Sequence, residues 1–400
     1  MPSRFFALAL LIVVAASGCG LLSALADGAV DAGAPPGSTA DAAPAPDDED
    51  PRDGGRVETD AGAVDAGPAL EHRVRLRFDR GAPSEPLVGF PLMVRLTPAR
   101  APLSELHAEQ SLRFVDDDGV TVLAHEIERF DTEEVIAWVR VPEIDATGED
   151  FIWLEIDVDH EFAASTPALV WQDEFAGVWH LGGNVNDSLR QAHGSQSATS
   201  DVEGPIAGAK RLTGGAFVEL PASGCGDTEA GTVSLWLRLD PLSEEAPTEQ
   251  MLFYFVQPEP VRGNQDGFGG DDELHAFVTP DGRPGFFIEN AGMDGDLRVE
   301  GSAPLADGGW HHLAVTWERG GEGRLLVDGA QTSGIQGAWG AFTPGRCFLG
   351  RALAGARSYS GELDDVRVST VARSVAWIEA EIASGKDALV SFGEVETPLP

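Results

Sequence analysis

The sequence predicts an all-β protein, in which a small antiparallel β domain precedes a larger β sandwich that ends with one helix. Three observations predict this fold class. Short runs of alternating apolar and polar residues recur along the chain, turn signals with Gly and Asp separate them, and a single stretch near the end has helical spacing. We therefore expect a small domain at 71–166 and a sandwich at 167–397.

The first element of the chain is an N-terminal signal at residues 1–18. Arg4 precedes an apolar run at 5–16, which is too short to cross a bilayer as a helix. The four residues that end in Cys19 resemble a bacterial lipobox, which implies that Cys19 carries a lipid; an ordinary cleaved signal is the alternative. Because Gly20 rather than Asp follows, we expect anchoring in the outer membrane, facing the periplasm or the cell surface.

Residues 19–70 form the next segment, which we expect to be a disordered tether. Asp-Ala-Gly repeats alternate there with Ala-Pro units and with an acidic run at 47–50. No apolar period is present that could bury one face, and like charges extend such a chain. The folded part is therefore expected to stand away from the membrane.

The composition is strongly acidic, with 66 Asp and Glu residues against 27 Lys and Arg residues and a net charge of −39. A surface of this charge repels phosphate backbones, so we expect no nucleic acid partner and contact with a membrane only through the lipid. Calcium or a basic partner fits the charge better. A general adaptation for solubility is the alternative.

The small domain is predicted from alternation. Residues 73–78 have one apolar and one cationic face, and residues 152–158 alternate in the same way. Asp117-Asp118-Gly119 is a turn signal between two strands. Further strands are predicted at 92–96, 112–115, 124–130 and 135–141.

The sandwich is predicted from many short strands, with hairpin turns around Asp281-Gly282 and Asp328-Gly329. Residues 374–383 have an apolar face with helical spacing, and 240–273 has the composition of a long loop. The strands are predicted at 232–239, 274–279, 285–289, 311–318, 324–328, 348–349 and 366–368.

Both regions resemble known families. The segments 112–116, 125–128 and 137–142 resemble DUF2341, a small β domain of exported bacterial proteins with no assigned activity. The second region resembles a concanavalin A-like, laminin-G-type (LamG) jelly roll. The segments that carry this resemblance are 177–181, 186–188, 231–237, 309–316, 325–329, 361–368 and 372–378. That resemblance implies the jelly-roll fold, but its members include sugar binders, protein binders, calcium-dependent adhesins and a few hydrolases.

Cysteine usage agrees with export. Besides Cys19, the chain has only Cys225 and Cys347, an even pair that can form a disulfide in an oxidising compartment. Two buried free thiols are the alternative.

Calcium is the metal that the sequence favours, and no other cofactor is expected. Asp187, Asp364 and Asp365 occupy positions that could approach each other in relatives with a structural ion, and the acidic loop 266–273 is a second candidate. The alternatives are that Asp365 pairs with Arg367 and that the loop is simply solvated. His311 and His312 point to opposite faces of a strand, so they cannot share an ion.

The sequence favours binding over catalysis. No Gly-x-Ser-x-Gly elbow is present, and His125-Glu126 lies in a strand, where we interpret it as structural. The nearest matches to the paired acids of a glycosidase are Glu155-x-Asp157-x-Asp159, which an acidic solvated edge explains, and Asp364-Asp365, of which only one member can face a given side of a strand. Trp339 in a Gly-rich stretch could stack on a sugar, or pack back onto the sandwich. We expect a non-catalytic envelope protein that binds an extracellular glycan or protein. A glycoside-active enzyme and a structural component docking an envelope or secretion assembly are the alternatives.

Overall fold

A computed structural model describes most of the chain from residue 72 onward. The described ranges are 72–226, 229–242, 248–257, 272–290, 297–336, 344–355 and 357–396. Cys19, Trp339 and residues 266–271 of the acidic loop lie outside them. The described residues all belong to one compact unit.

The small region consists of seven strands, and their alternating residues form the sequence pattern expected of half-buried strands. They are β1 (His72–Arg77), β2 (Leu87–Leu96), β3 (Leu112–Val115), β4 (Val122–Leu123), β5 (His125–Phe130), β6 (Val135–Ile144) and β7 (Phe151–Ile156).

The described residues of the second region contribute sixteen further strands and one α-helix. They are β8 (Phe175–Trp179), β9 (Ser195–Ser197), β10 (Ser200–Glu203), β11 (Gly208–Leu212), β12 (Phe217–Leu220), β13 (Ala230–Leu239), β14 (Gln250–Val256), β15 (Asp272–Val278), β16 (Pro284–Asn290), β17 (Leu297–Glu300), β18 (His311–Glu318), β19 (Glu322–Val327), β20 (Ala330–Gln336), β21 (Arg346–Leu349), β22 (Gly361–Ser369), α1 (Val375–Gly385) and β23 (Ser391–Glu396).

All described strand pairs are antiparallel, and they form four sheets. In the second region, an eight-stranded sheet (β10-β11-β22-β13-β18-β19-β20, with β8 also on β22) faces a seven-stranded sheet (β17-β16-β15-β14-β21-β12-β9) across an apolar core. The predicted all-β class with a jelly-roll sandwich and one helix is confirmed. Among the described residues, no helix is both long and apolar enough to span a membrane.

The small region has a three-stranded sheet, β2-β6-β5, and a five-stranded sheet, β23-β1-β7-β3-β4. Its edge strand β23 comes from the far end of the chain and pairs with β1. The chain therefore returns to the small region after it completes the sandwich.

Helix α1 packs between the two regions. Ser374 caps its first turn, because the Ser374 Oγ accepts a hydrogen bond from the Trp377 amide at 3.1 Å. The Trp377 ring packs edge-on against Phe90 of β2, with the ring centroids 5.0 Å apart. On the other side, the Glu381 carboxylate accepts a hydrogen bond from Ser234 of β13 at 2.5 Å. One apolar core consequently extends from the small region under the helix to the sandwich.

The prediction of a long loop at 240–273 is wrong for the middle of this segment. Residues 250–256 form β14, which lies between β15 and β21. The six residues that follow Gln250 in this strand are all buried. A strand buried on both faces has no alternation, and short apolar runs of this kind carry no clear period in the sequence. The residues on both sides of β14 are rich in Pro, Gly and acids, and they give the segment 240–273 as a whole the composition of a loop.

The predicted disulfide is confirmed. Cys225 and Cys347 are bonded, with their Cα atoms 6.5 Å apart, and both residues are buried. The bond joins the segment before β13 to strand β21 of the seven-stranded sheet.

Candidate functional site

A polar groove lies where strand β5 of the small region faces the start of the second region. It consists of two cavities of about 500 and 450 Å³ that share Glu128 and Gly182 as lining residues. We name these two cavities together the junction groove. The polar side chains of the larger cavity include Glu126, Asn184, Asn186, Ser188 and His193.

The side chains of Glu126 and Glu128 on β5 both line the groove, and the register of β5 against β6 shifts between Ile127 and Arg129. Glu126 accepts hydrogen bonds at both oxygens, from the Trp171 indole at 2.6 Å and from the Ser188 hydroxyl at 2.9 Å. The Glu128 Oε2 accepts one from the Trp138 indole at 2.8 Å. Buried donors therefore fix both carboxyl groups in the groove wall.

His180 comes directly after β8 and connects the two regions. Its Nε2 lies 3.4 Å from Glu126 Oε2, and its Nδ1 lies 3.1 Å from Asp365 Oδ1 and 3.6 Å from Glu128 Oε2. Burial by itself opposes a positive charge on this ring, but the three carboxyl groups outweigh it and raise the pKa of His180 well above its ordinary value. These surroundings therefore favour the protonated ring.

Arg367 is the second buried cation of the cluster. Its Nη2 lies 2.6 Å from Asp365 Oδ2, and its guanidinium lies 4.4 Å from the centroid of the Trp138 ring. Although burial opposes ionisation, Arg367 and His180 lower the pKa of Asp365 to about 2. The Asp365–Arg367 pair is the alternative that the sequence left open for Asp365.

A β-bulge in β22 brings Asp364 and Asp365 to the same cluster. The register between β13 and β22 shifts between Ser234 and Trp236, and Asp365 has a φ of 46°, in the left-handed region. Asp364 is fully buried, and burial together with the charges of Glu128 and Asp365 raises its pKa well above the ordinary value. The expectation that only one of the two adjacent acids could face a given side fails, because it assumes a regular strand.

Asp187, the third acid of the predicted calcium set, organises the loop after β8. Its carboxylate accepts hydrogen bonds from four backbone amides at 2.9–3.2 Å, those of Val178, Leu189, Gln191 and Ala192. This carboxylate supports the groove wall that carries Asn184 and Asn186.

Within the described ranges, no group of three or more His, Cys, Asp or Glu side chains is arranged to hold a metal ion. Calcium binding at Asp187, Asp364 and Asp365 stays a prediction. The ligand role of Trp339 and the part of the acidic loop at 266–271 fall outside the described residues. The last two residues of that loop, Asp272 and Glu273, begin β15, and Glu273 accepts a hydrogen bond from the Tyr254 hydroxyl.

His311 and His312 make separate contacts. His311 lies near the surface, with Nδ1 2.8 Å from Asp328 Oδ2, whereas His312 is buried, with Nε2 3.2 Å from Glu381 Oε1. The two rings face different partners, in agreement with their places on a strand.

Sequence reasoning missed Glu126, Glu128 and His180 as parts of one site. The available signal was the pair of acids two residues apart in 124–130, which puts two carboxyl groups on one strand face. The partners come from far away in the chain, since His180 and Asp365 are separated by 185 residues. Only the tertiary fold brings them together.

The raised pKa of His180 predicts a pH dependence of stability. A group with a raised pKa in the folded state stabilises the protein below its unfolded pKa of about 6.5, and that stabilisation is lost as the pH rises through the folded pKa. We expect the free energy of unfolding of the native chain, minus that of His180→Asn, to fall as the pH rises from 6.5. Urea unfolding at several pH values measures this difference.

Both chains keep His311, whose pKa is also raised by Asp328 and Asp307 against the effect of burial, so its contribution cancels in the comparison. A difference that stays constant with pH would show that His180 does not hold its proton in the folded state.

The fold is that of an all-β protein with a concanavalin A-like jelly roll. In agreement, residues 212–379 match the family model described as the concanavalin A-like lectin/glucanases superfamily. The match leaves out the small region, whose resemblance to DUF2341 stays a prediction. No curated protein matches the chain.

Solved structures similar to this chain include three binding or accessory domains. For the binding domain of Paraclostridial Mosquitocidal Protein 1, the identity is 13%, the TM-score is 0.43, and the match covers 53% of this chain and 52% of that one. Domain 4 of an extracellular arabinanase from Geobacillus stearothermophilus, in complex with arabinotriose, has an identity of 16% and a TM-score of 0.40, and the match covers 52% of this chain and 98% of that one. The receptor binding domain of botulinum neurotoxin type G has an identity of 11% and a TM-score of 0.41, and the match covers 53% of this chain and 51% of that one. The match thus spans about half the length of the first and third of these chains.

Proposed function

We propose that this chain is a non-catalytic, lipid-anchored protein of the bacterial cell envelope that binds an extracellular glycan or protein in the junction groove. The observation that carries the proposal is the groove itself: two adjoining cavities of about 500 and 450 Å³, of which the larger has a mostly polar lining. Concave sites with fixed polar groups are where small ligands bind. The lipid at Cys19 and the acidic tether would hold this groove away from the outer membrane.

The polar groups of the larger cavity suit the hydroxyl groups of a sugar. Asn184 and Asn186 offer amide donors and acceptors. The His193 Nδ1 accepts a hydrogen bond from the Asp187 amide at 3.0 Å, which leaves the proton of the neutral ring on Nε2. A glycan with neighbouring hydroxyl groups can use donors and acceptors of this kind together.

The test is a glycan array with the purified full chain, with and without calcium. A double variant, Asn184→Ala with Asn186→Ala, is expected to weaken binding of any captured glycan by about tenfold, because it removes two side chains that can hydrogen-bond the ligand. Gln172→Ala is the matched control, since Gln172 is exposed and does not line the groove.

Weaker binding by the double variant, with unchanged binding by Gln172→Ala, supports the groove as the site. Equal binding by all three chains would place the ligand elsewhere. If the array shows no glycan in either condition, a pull-down from envelope extracts tests the protein ligand, and failure of both would overturn the proposed function.

Hydrolysis of a glycoside is the second candidate, and one observation favours it. Glu126 and Glu128 lie side by side, and their surroundings move their pKa values in opposite directions. Burial opposes ionisation of both, but hydrogen bonds from His180, Trp171 and Ser188 lower the pKa of Glu126, whereas burial raises that of Glu128. Opposite pKa shifts of two neighbouring carboxyl groups are typical of catalytic pairs, in which one group donates a proton and the other stays ionised. New reducing ends after incubation with the captured glycan would favour this candidate.

A further inference from the structure

Glu128 differs from the other groove carboxyls in an unfilled hydrogen bond. Its side chain is 7% exposed, yet the residue lines both cavities. The buried Oε1 has no hydrogen-bond partner among the described residues, whereas both oxygens of Glu126 have one. A buried acceptor without a donor destabilises the folded chain, so sites of this kind need a donor from elsewhere.

The charge around Glu128 indicates what kind of donor fits. The groups that face it are His180 from the end of β8, Asp364 and Asp365 from β22, and its strand neighbour Glu126. Arg367 is paired with Asp365 at 2.6 Å, and His180 is shared among Glu126, Glu128 and Asp365. The buried Lys210 pairs with Asp201 of the smaller cavity instead. Among the described groups that face Glu128, the carboxyl groups therefore outnumber the cations.

Two arginines belong to the rest of the lining, and neither forms an ion pair with Glu128 among the described residues. In the smaller cavity, Arg129 contacts Glu134 and Glu203 at 3.1 and 3.2 Å, and in the larger cavity Arg190 is exposed. A hydroxyl donor would fill the hydrogen bond at Glu128 but leave the charge as it is. An ammonium group supplies the N–H donor and the positive charge together.

We propose that the junction groove binds a glycan with free amino groups, and that Glu128 receives one of these ammonium groups at Oε1 where the two cavities meet. This inference rests on the proposed function, because it assigns the ligand class of that same groove. The Trp138 indole keeps the carboxyl in place through Oε2, so Oε1 is left for the ligand.

The binding step moves a proton. Burial and the nearby acids raise the pKa of Glu128 in the empty groove above its ordinary value. When an ammonium group binds, it favours the carboxylate, and the carboxyl proton passes to the buffer while the amine keeps its own protons. Amine binding is therefore accompanied by proton release, and binding of a neutral sugar is not.

The experiment compares an oligomer of glucosamine with the same oligomer fully N-acetylated, by calorimetry on the purified full chain at moderate salt. The glucosamine oligomer is expected to bind on the order of tenfold more tightly. Glu128→Gln should abolish this preference. Glu143→Gln removes the same charge from an exposed side chain outside both cavities and should keep the preference, which excludes general attraction to the acidic surface.

Repeating the native titration in buffers of different ionisation enthalpy measures proton release and needs no variant, so it stays informative if Glu128→Gln fails to fold. Equal affinity for the two oligomers, or an unchanged preference in Glu128→Gln, would overturn the inference. If a neutral glycan binds in the groove without an amine preference, the inference fails and the proposed function stands. If neither a glycan nor an envelope protein binds, both fail.

Discussion

Replacing Arg367 with methionine is expected to lower the free energy of unfolding by about 3–5 kcal/mol, because it leaves buried carboxylates without their cation. The Arg367 side chain is 2% exposed, and its Nη1 lies 4.0 Å from Glu381 Oε1 in addition to the contact with Asp365. Its guanidinium also packs on the rings of Trp138 and Trp171, which methionine replaces only in part. The cost therefore combines lost charge pairing with lost packing.

Equilibrium unfolding in urea measures this cost, and Arg319→Met is the matched control. Arg319 pairs with Glu229 at the surface, where an exposed pair contributes about 0–1 kcal/mol. If the two variants lost the same small amount, the buried charges would not depend on Arg367. Adding Asp365→Asn to Arg367→Met should recover part of the loss, since the second change removes one of the uncompensated charges.

The Asp365–Arg367 pair also affects the groove, through His180. Asp365 contacts both Arg367 and His180, and His180 in turn contacts Glu126 in the groove wall. A network that spans β5, the end of β8 and β22 holds the small region against the sandwich. We infer that the polar cluster fixes the shape of the groove, while the apolar core beneath α1 supplies most of the stability.

The strands were predictable where a short apolar run is bounded by clear turn signals. The segment 112–115 coincides with β3 and the segment 311–318 with β18, although β18 is buried on both faces. Short polar strands such as β9 and β10 carry no apolar period, and β14 is apolar throughout. These strands are specified by their partners in the sheet, which the local sequence does not reveal.

The candidate site was predictable only in its parts. The pair Asp364-Asp365 and the neighbouring Arg367 were visible as charged residues in a strand, but the bulge that turns both acids toward His180 depends on the register against β13. Glu126 and Glu128 were visible as alternating acids. Nothing local indicated that tryptophan indoles from β6 and from Trp171 would fix them in a wall.

The double variant Cys225→Ala with Cys347→Ala is expected to lower the free energy of unfolding by about 4 kcal/mol. The bonded cysteines are 122 residues apart, so the disulfide restricts a long loop of the unfolded chain. Chemical denaturation with and without reductant measures the effect. Reductant should lower the stability of the native chain and leave that of the double variant unchanged. Equal stability of the two chains without reductant would contradict the prediction.

The disulfide is also expected to affect the groove, because its neighbour Gly224 packs against the residue before His180. A Cβ atom at Gly224 would lie 2.7 Å from the Trp179 ring, so the chain before Cys225 rests directly on that tryptophan. The Trp179 indole donates to the Ala192 carbonyl at 3.0 Å, within the loop that Asp187 organises. Freeing Cys225 from β21 would loosen this support, and the double variant should bind a groove ligand more weakly even under conditions in which it remains folded. Full affinity in the folded double variant would restrict the disulfide to a role in stability.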